Sequence, residues 1–485
     1  MTGRFFRILK ILSITAVLPA ILALPANSYA GGVCYEVFVY SFCDSNGDGI
    51  GDLKGLEQKL DYINDGDEQT VDDLGCDMIW LMPVFPSPTY HKYDVTDYMA
   101  VDPVYGGMED MERLIEECHE RRMRLILDLP LNHTSSQHPW FTAASDYLRN
   151  LPQGADASAD ECPYLDYYHF SREPGNGYAP LEGTEWFYEA RFWDQMPDLN
   201  LDRACVRSAV EEILDFWLDK GVDGFRLDAV TYYYSESREA NIEFLRWLND
   251  TAKSRNPDCY LVGEAWTDMD TYAAYYASGI DSLFDFAFSG QDGVISKVAR
   301  GKKDASWYGQ MLVNEEQLYA GYGDHVINAP FYTNHDMARS AGYYTRDDGS
   351  RVKLAEALNL LMPGQAFLYY GEELGMKGSG KDENKRAPMF WSADPAAEGM
   401  CQGPPEMEEV KMKFPPLEEQ EIDPYSILSY TREAIRIRNR YPAVGNGKTV
   451  LSEELSGENV CVIERILPDE EPVLLIINKI GRAHV

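Results

Sequence analysis

Gly221-Val222-Asp223-Gly224-Phe225-Arg226-Leu227-Asp228 is a short apolar run that ends in a carboxylate. Three other apolar runs also stop at polar residues: Asp128-Leu-Pro-Leu-Asn-His133, Gly263-Glu264-Ala-Trp266 and Phe331-Tyr-Thr-Asn-His-Asp336. Each stands where a buried strand would stop. Working outward, candidate strands fall at Tyr35–Tyr40, Met78–Pro83, Arg124–Leu131, Gly224–Val230, Tyr260–Ala265, Ser282–Phe288, Ala329–Thr333 and Ala366–Tyr370. Amphipathic stretches lie between them, at Met108–Arg122, Val206–Lys220, Ala240–Arg255 and Val352–Leu361. Near-continuous apolar strands are buried on both faces, the habit of a parallel sheet covered by helices. Strands alternating with helices eight times over predict an α/β fold, a closed (β/α)8 TIM barrel. An open doubly wound sheet is disfavoured because no Gly-x-Gly-x-x-Gly turn follows the first strand.

In a barrel all four polar strand ends converge on one mouth, and converging carboxylates are costly unless a cation neutralises them or one keeps a proton. Arg226, two residues before Asp228 on the same strand face, is placed for the first role, and a raised pKa on Glu264 would serve the second. Any one of these residues alone reads as a strand cap or a surface ion pair. Four at equivalent strand ends read as a site.

The chain has 485 residues, with 43 Lys and Arg against 80 Asp and Glu, for a formal net charge of −37. That balance excludes a nucleic-acid partner, whose phosphates need clustered Lys and Arg, and disfavours an anionic membrane surface. A large globular protein with a neutral or cationic partner is expected.

Residues 1–30 read as an export signal: Arg4, Arg7 and Lys10, then apolar Ile11 to Leu24, then Ser28-Tyr29-Ala30 as the cleavage site. An uncleaved anchor would need roughly 20 apolar residues. A secreted, extracellular or periplasmic protein follows, with no membrane attachment after cleavage. Among nine cysteines, Cys34 with Cys43 and Cys162 with Cys205 are possible bridges in an oxidising compartment. At the other end, Ile480-Gly-Arg-Ala-His-Val485 resembles the translation of a common sequencing adapter, so a native C-terminus is expected to be missing.

The barrel is assigned to residues 31–133 and 196–442. Residues 134–195, rich in Tyr, Pro, Gly and Asp, form an inserted domain B after the third strand. Gly371 to Asp423 is a surface loop leaving the same rim. Residues 443–479, with strands around Val450-Leu451, Val460–Ile466 and Val473–Asn478, read as a C-terminal β-domain cut short.

The loop Asp44-Ser-Asn46-Gly-Asp48-Gly-Ile50-Gly-Asp52 places oxygens at the first, third, fifth and ninth positions of a calcium loop. The Glu expected at the twelfth is Gly55, so the loop is not a complete EF-hand, and the alternative is a solvated Asx-rich turn.

Together these motifs resemble glycoside hydrolase family 13, the α-amylase family, from about Val33 to Arg440. Gly75-Cys-Asp-Met-Ile-Trp-Leu-Met-Pro83 and Met196-Pro-Asp-Leu-Asn200 match as well. The resemblance implies retaining chemistry on α-glucosidic bonds, with Asp228 as nucleophile, Glu264 as general acid and then base, and Asp336 bracing the sugar. It makes Arg226, Tyr93, Asp94, His133 and His335 substrate-side residues. It also implies structural Ca2+ on Asp44, Asn46, Asp48, Ile50 and Asp52, with Asn132 as a second calcium ligand. Family members often carry Lys-His shortly after the nucleophile, where this chain has Thr231-Tyr232. Met-Pro-Asp-Leu-Asn resembles a group between endo-acting amylases and oligosaccharide-trimming enzymes. The expectation is a monomeric enzyme that cuts internal α-1,4 bonds of starch, glycogen or maltodextrins. The rivals are an α-glucosidase, an oligo-1,6-glucosidase or a cyclomaltodextrinase, and, from another class, a non-catalytic barrel scaffold. Trp140, Tyr164, Tyr167, Tyr168, Trp186, Phe187 and Trp193 crowd the inserted segment, as sugar platforms or as the core of a small domain.

Overall fold

The computed structural model describes residues 31–235, 237–344 and 349–479. The export segment and the final six residues lie outside the described residues. Eight strands run in parallel around a barrel: Val33–Val37, Met78–Leu81, Arg124–Leu129, Gly224–Leu227, Tyr260–Gly263, Ser282–Phe284, Ile327–Ala329 and Ala366–Tyr369. Neighbours pair in register, with Cys34 beside Met78, Ile126 beside Gly224, and Val33 beside Ala366. The ring closes between its seventh and eighth members, where Gln365 N donates to Asn328 O at 2.8 Å and Phe367 N to Pro330 O at 2.7 Å.

Both faces of these strands are buried because helices cover the outside and side chains fill the inside. Inside lie Cys34, Met78, Trp80, Ile126, Tyr260, Val262, Phe284, Ala329, Phe331 and Phe367, a cluster of its own. Phe284 meets Phe367 edge-on with ring centres 4.9 Å apart. Each fully buried Phe or Met there is worth about 1.5–3 kcal/mol. Outside, the helices Met108–Glu120, Ala204–Asp219 and Arg238–Arg255 turn Leu114, Trp217 and Leu248 inward.

Several strands stop before their apolar runs do. The fourth ends at Leu227 although burial continues to Val230, because Ala229 turns into the left-handed region at φ 47°. Apolar content reports burial, and burial outlasts the ladder. The seventh strand lies earlier than Ala329–Thr333, since Pro330 has no N–H to continue the pairing and Phe331 is left as a lone bridge.

The excursion after the third strand carries a helix, Pro139–Asn150, and a three-stranded antiparallel sheet of Phe170–Ser171, Phe187–Glu189 and Tyr178–Pro180. It is tied back to the barrel by bridges His133–Asp198 and Tyr168–Leu199. Its rings pack on one another, with Phe141, Tyr168 and Tyr188 buried and most others half-buried: Trp140 packs on Tyr167 at 4.8 Å, and Phe141 on Tyr168 at 5.1 Å. Phe192 and Trp193 are each 46% exposed.

At the end of the described chain, Lys448–Leu451, Val460–Ile466 and Val473–Asn478 form an antiparallel sheet against the helix Ala305–Tyr319. Contact is close enough that a Cβ on Gly309 would lie 2.6 Å from Leu451 and 2.8 Å from Cys461. All nine cysteines are free thiols. The pairing considered for Cys34 and Cys43 fails because Cys34 points inside the barrel while Cys43 belongs to the core outside it. Cys162 instead lies 3.7 Å from the carbonyl of Ala143, and Cys205 sits on the helix Ala204–Asp219.

Candidate active site

The site is built at the C-terminal mouth, around a fully buried arginine. Arg226 Nη1 donates to Asp228 Oδ1 at 2.7 Å and to both oxygens of Asp128 at 2.8 and 3.0 Å. Its Nη2 lies 3.0 Å from Glu264 Oε2 as an ion-pair contact. One guanidinium therefore holds the ends of the third, fourth and fifth strands together. The guanidinium is also 5.2 Å from the ring of Trp80, which floors it.

Asp228 and Glu264 are linked a second way. The left-handed turn at Ala229 aims its N–H at Glu264 Oε2, 3.1 Å away. A non-glycine residue in that region is strained, and such strain persists only where surrounding contacts enforce it. Burial pushes Glu264 up to about 7, helped by the negative charges of Asp228 and Asp336 and opposed by Arg226. The carboxyl is thereby poised to hold a proton at neutral pH and to give it up. Burial likewise raises Asp128, to about 6, against the pull of Arg226.

Asp336 faces the same space, held by other cations. Burial alone would raise its pKa, but His335, Arg386 and Arg226 hold it well below the usual carboxylate range. Arg386 Nη2 meets its Oδ1 at 2.8 Å, and His335 Nε2 lies 3.2 Å from its Oδ2. His335 loses solvation yet is pushed up to about 9 by Asp336 and by Glu36, whose Oε1 is 2.6 Å from Nδ1. Tyr93 completes the ring: its hydroxyl is 2.7 Å from His335 Nε2 and donates to Asp128 Oδ2 at 2.9 Å, and its ring stacks on the imidazole.

Asp94 is buried with Oδ1 accepting from Ser87 Oγ at 2.7 Å and from Thr89, while Oδ2 has no partner among the described residues. His133 is buried with Nε2 likewise unpartnered among the described residues, and burial lowers its pKa. The cleft, of roughly 560 Å³, is lined by Tyr93, His133, Asp228, Glu264, Asp336 and Arg386, among others. Aromatic rings flank it. Phe192 of the excursion lies 4.8 Å from Tyr232 of the barrel, and Trp266 stacks on Phe286 at 5.1 Å.

All eight catalytic and substrate-side residues read from the sequence thus gather at this mouth. Sequence reading gave no role to Asp128, Glu36, Arg386 or Lys385, whose Nζ donates to the Asp336 carbonyl at 2.9 Å. A buried acid in the first strand was a signal for Glu36. None existed for Arg386, which sits in a long loop without periodicity.

The calcium candidates lie elsewhere. Asp44 accepts N–H groups from Asn46, Gly47 and Gly49 at 3.0, 2.7 and 2.7 Å, and Asp52 accepts from Ser45 and Gly55. Gly49, at the sixth position, has φ 92°, the sharp turn that calcium loops place there. All the candidate ligands are hard oxygens, which suits calcium. Among the described residues no three His, Cys, Asp or Glu side chains converge as a metal cluster, so the Asn46 amide and the Ile50 carbonyl would have to contribute. Asn132 is at the junction with the excursion, where Nδ2 donates to Asp198 Oδ1 at 3.3 Å.

Fold and site together define a glycosidase barrel. The family model "Alpha amylase, catalytic domain" matches residues 36–447. The chain belongs to that family, glycoside hydrolase family 13, and is a glycosidase acting on α-glucosidic linkages. It is 37% identical to alpha-amylase 3 of Dictyoglomus thermophilum over 456 residues, 94% of this chain and 85% of that one. It is 31% identical to the trehalose synthase/amylase TreS of Mycolicibacterium smegmatis, over 92% and 81% of the two chains. Among solved structures, Eubacterium rectale Amy13B superposes with a TM-score of 0.89 at 52% identity, covering 93% of this chain and 87% of that one. The α-amylase from H. orenii gives 0.83 at 36%, covering 93% and 90%.

Proposed function

We propose that this enzyme is a secreted, monomeric, retaining α-amylase that cuts internal α-1,4 bonds of starch, glycogen or maltodextrins. One observation carries the chemistry: a single guanidinium contacts both Asp228 and Glu264, while burial lifts Glu264 to about 7. Retention needs two carboxyls about 5–5.5 Å apart with opposite protonation. Asp228, ion-paired to Arg226, attacks the anomeric carbon as the glycosidic bond breaks. Glu264 gives its proton to the leaving oxygen. A glycosyl ester on Asp228 results, and Glu264, now ionised, takes a proton from water as that water attacks and releases Asp228. Asp336, kept anionic by His335 and Arg386, stabilises the positive charge that develops on the ring. Tyr93 stacks under the sugar, and His133 and the free oxygen of Asp94 take its hydroxyls.

The α-1,4 endo specificity rests on relatives whose names say α-amylase, the Dictyoglomus thermophilum and H. orenii proteins among them, and on a Met196-Pro-Asp-Leu-Asn200 segment in keeping with the intermediate subgroup. Product analysis on starch tests it: a mixed ladder of oligosaccharides with α-anomers first is expected, and glucose or maltose alone would overturn it. The same reading takes residues 134–195 as an inserted domain and 443–479 as the C-terminal β-unit. Calcium would be held by Asp44, Asn46, Asp48, Ile50 and Asp52, giving the loop charge neutralisation and rigidity, with Asn132 at a second position. Chelation is expected to lower the thermal midpoint, and an unchanged midpoint would remove the metal from the reading. Among the described residues no helix is long and apolar enough to cross a membrane.

A further inference from the structure

Lys92 is an unusual residue to find beside Tyr93 and Asp94. It stands in the left-handed region at φ 67° and is only 5% exposed. Non-glycine residues pay for that backbone, and a lysine pays again to bury its ammonium. Something must hold it there. Its Nζ lies 2.7 Å from Asp102 Oδ2, an ion pair in which both side chains are nearly inaccessible, and faces the ring of Tyr105 at 5.6 Å.

The pair closes on the residue that orients Asp94. Lys92 Nζ donates to the carbonyl of Ser87 at 3.4 Å, and Asp102 Oδ2 accepts the Ser87 N–H at 3.2 Å. Ser87 Oγ in turn donates to Asp94 Oδ1. Both backbone groups of Ser87 are thus clamped by the ion pair, and its hydroxyl fixes one oxygen of Asp94 while the other, buried, has no partner among the described residues. On the other side of Lys92, the turn sets the entry of the chain into Tyr93, whose ring lies on His335.

We propose that the Lys92–Asp102 ion pair is a positioning device for substrate binding, holding the 87–94 turn so that Tyr93 and the free oxygen of Asp94 meet the sugar in one fixed orientation. This inference rests on the reading of Tyr93 and Asp94 as sugar contacts. Lys92 touches no reacting atom and acts through its neighbours. Misplacing such contacts by an ångström costs up to about a hundredfold in rate.

The test separates positioning from support. Lys92→Met removes the ammonium but keeps the strain, whereas Lys92→Gly removes both. Steady-state kinetics on maltoheptaose and thermal midpoints are measured for wild type and both variants. If wild type leaves maltoheptaose intact, isomaltose and trehalose are used instead, so that a wrong substrate assignment shows in wild type alone. We expect kcat/KM to fall roughly 10- to 100-fold in both variants, mainly through KM. Lys92→Gly should melt higher than Lys92→Met without recovering activity. A glycine variant with wild-type KM, or losses that follow the melting temperature in both variants, would overturn the proposal.

Discussion

Two groups of carboxyls, all buried except the half-buried Asp336, sit on opposite sides of the barrel wall and behave differently. Inside the mouth, Asp128, Asp228, Glu264 and Asp336 share Arg226, Arg386 and His335. Outside, between the wall and the helix Ala305–Tyr319, Asp285 and Glu315 are joined by Tyr272, Tyr319 and Asn328 with no ion pair to a cation among the described residues. There burial pushes Asp285 to about 6 and Glu315 well above its usual range, so Glu315 keeps its proton and shares it with Asp285 as a neutral hydrogen-bonding group. Burial without a counter-charge only raises an acid's pKa; burial beside fixed cations drives neighbouring acids apart, Glu264 upward and Asp336 downward. Only the second arrangement yields a nucleophile beside a proton donor.

The comparison can be broken most sharply at Asp228. Asp228→Ala should lower kcat by more than roughly 10⁴-fold while the protein stays folded by circular dichroism. Retained hydrolysis would take the nucleophile role away from it. Next comes the cation. Arg226→Met leaves several acids uncompensated, and a loss of about 3–5 kcal/mol in urea unfolding is expected together with loss of activity.

The proton donor shows in the pH profile. Glu264 must carry its proton, so kcat/KM should fall about tenfold per unit as pH rises past about 7. Glu264→Gln should lose roughly 10²–10⁴-fold and no longer show that limb. His335 makes a stability statement of opposite origin. Its pKa is raised above the unfolded value, so the stability it contributes is whole below about 6.5 and is lost as pH climbs through about 9. The midpoint of His335→Gln should therefore depend less on pH across that window than wild type does. The smallest effect belongs to the outer cluster. Glu315→Gln swaps one neutral hydrogen-bonding group for another, and a change within about 1 kcal/mol with unaltered kcat is expected.

Much of this was legible in the chain. The strand-end acids of the four motifs were visible because each interrupts an apolar run at the same point of a repeating unit, and a barrel has one mouth. Asp228 and Arg226 could be paired by strand alternation alone. The inserted segment was visible as a gap too long for a turn. Its rings, however, could not be sorted by composition: Tyr168 proved to be core, Trp140 half-buried against it, and Phe192 turned to the cleft. Arg386 was invisible because nothing near it in sequence says that residues 50 positions apart meet. Lys92 was hidden differently, since a positive φ on a lysine has no sequence signature.

The sequence by itself determined the barrel, its order of strands and the acids at its mouth, because periodicity and strand-end polarity are local properties. Only the tertiary structure decided which acids keep their protons, which aromatic rings face the cleft and which distant residues hold the sugar-facing loops. Those depend on burial and on the position of a counter-charge, quantities that exist only once the chain has closed.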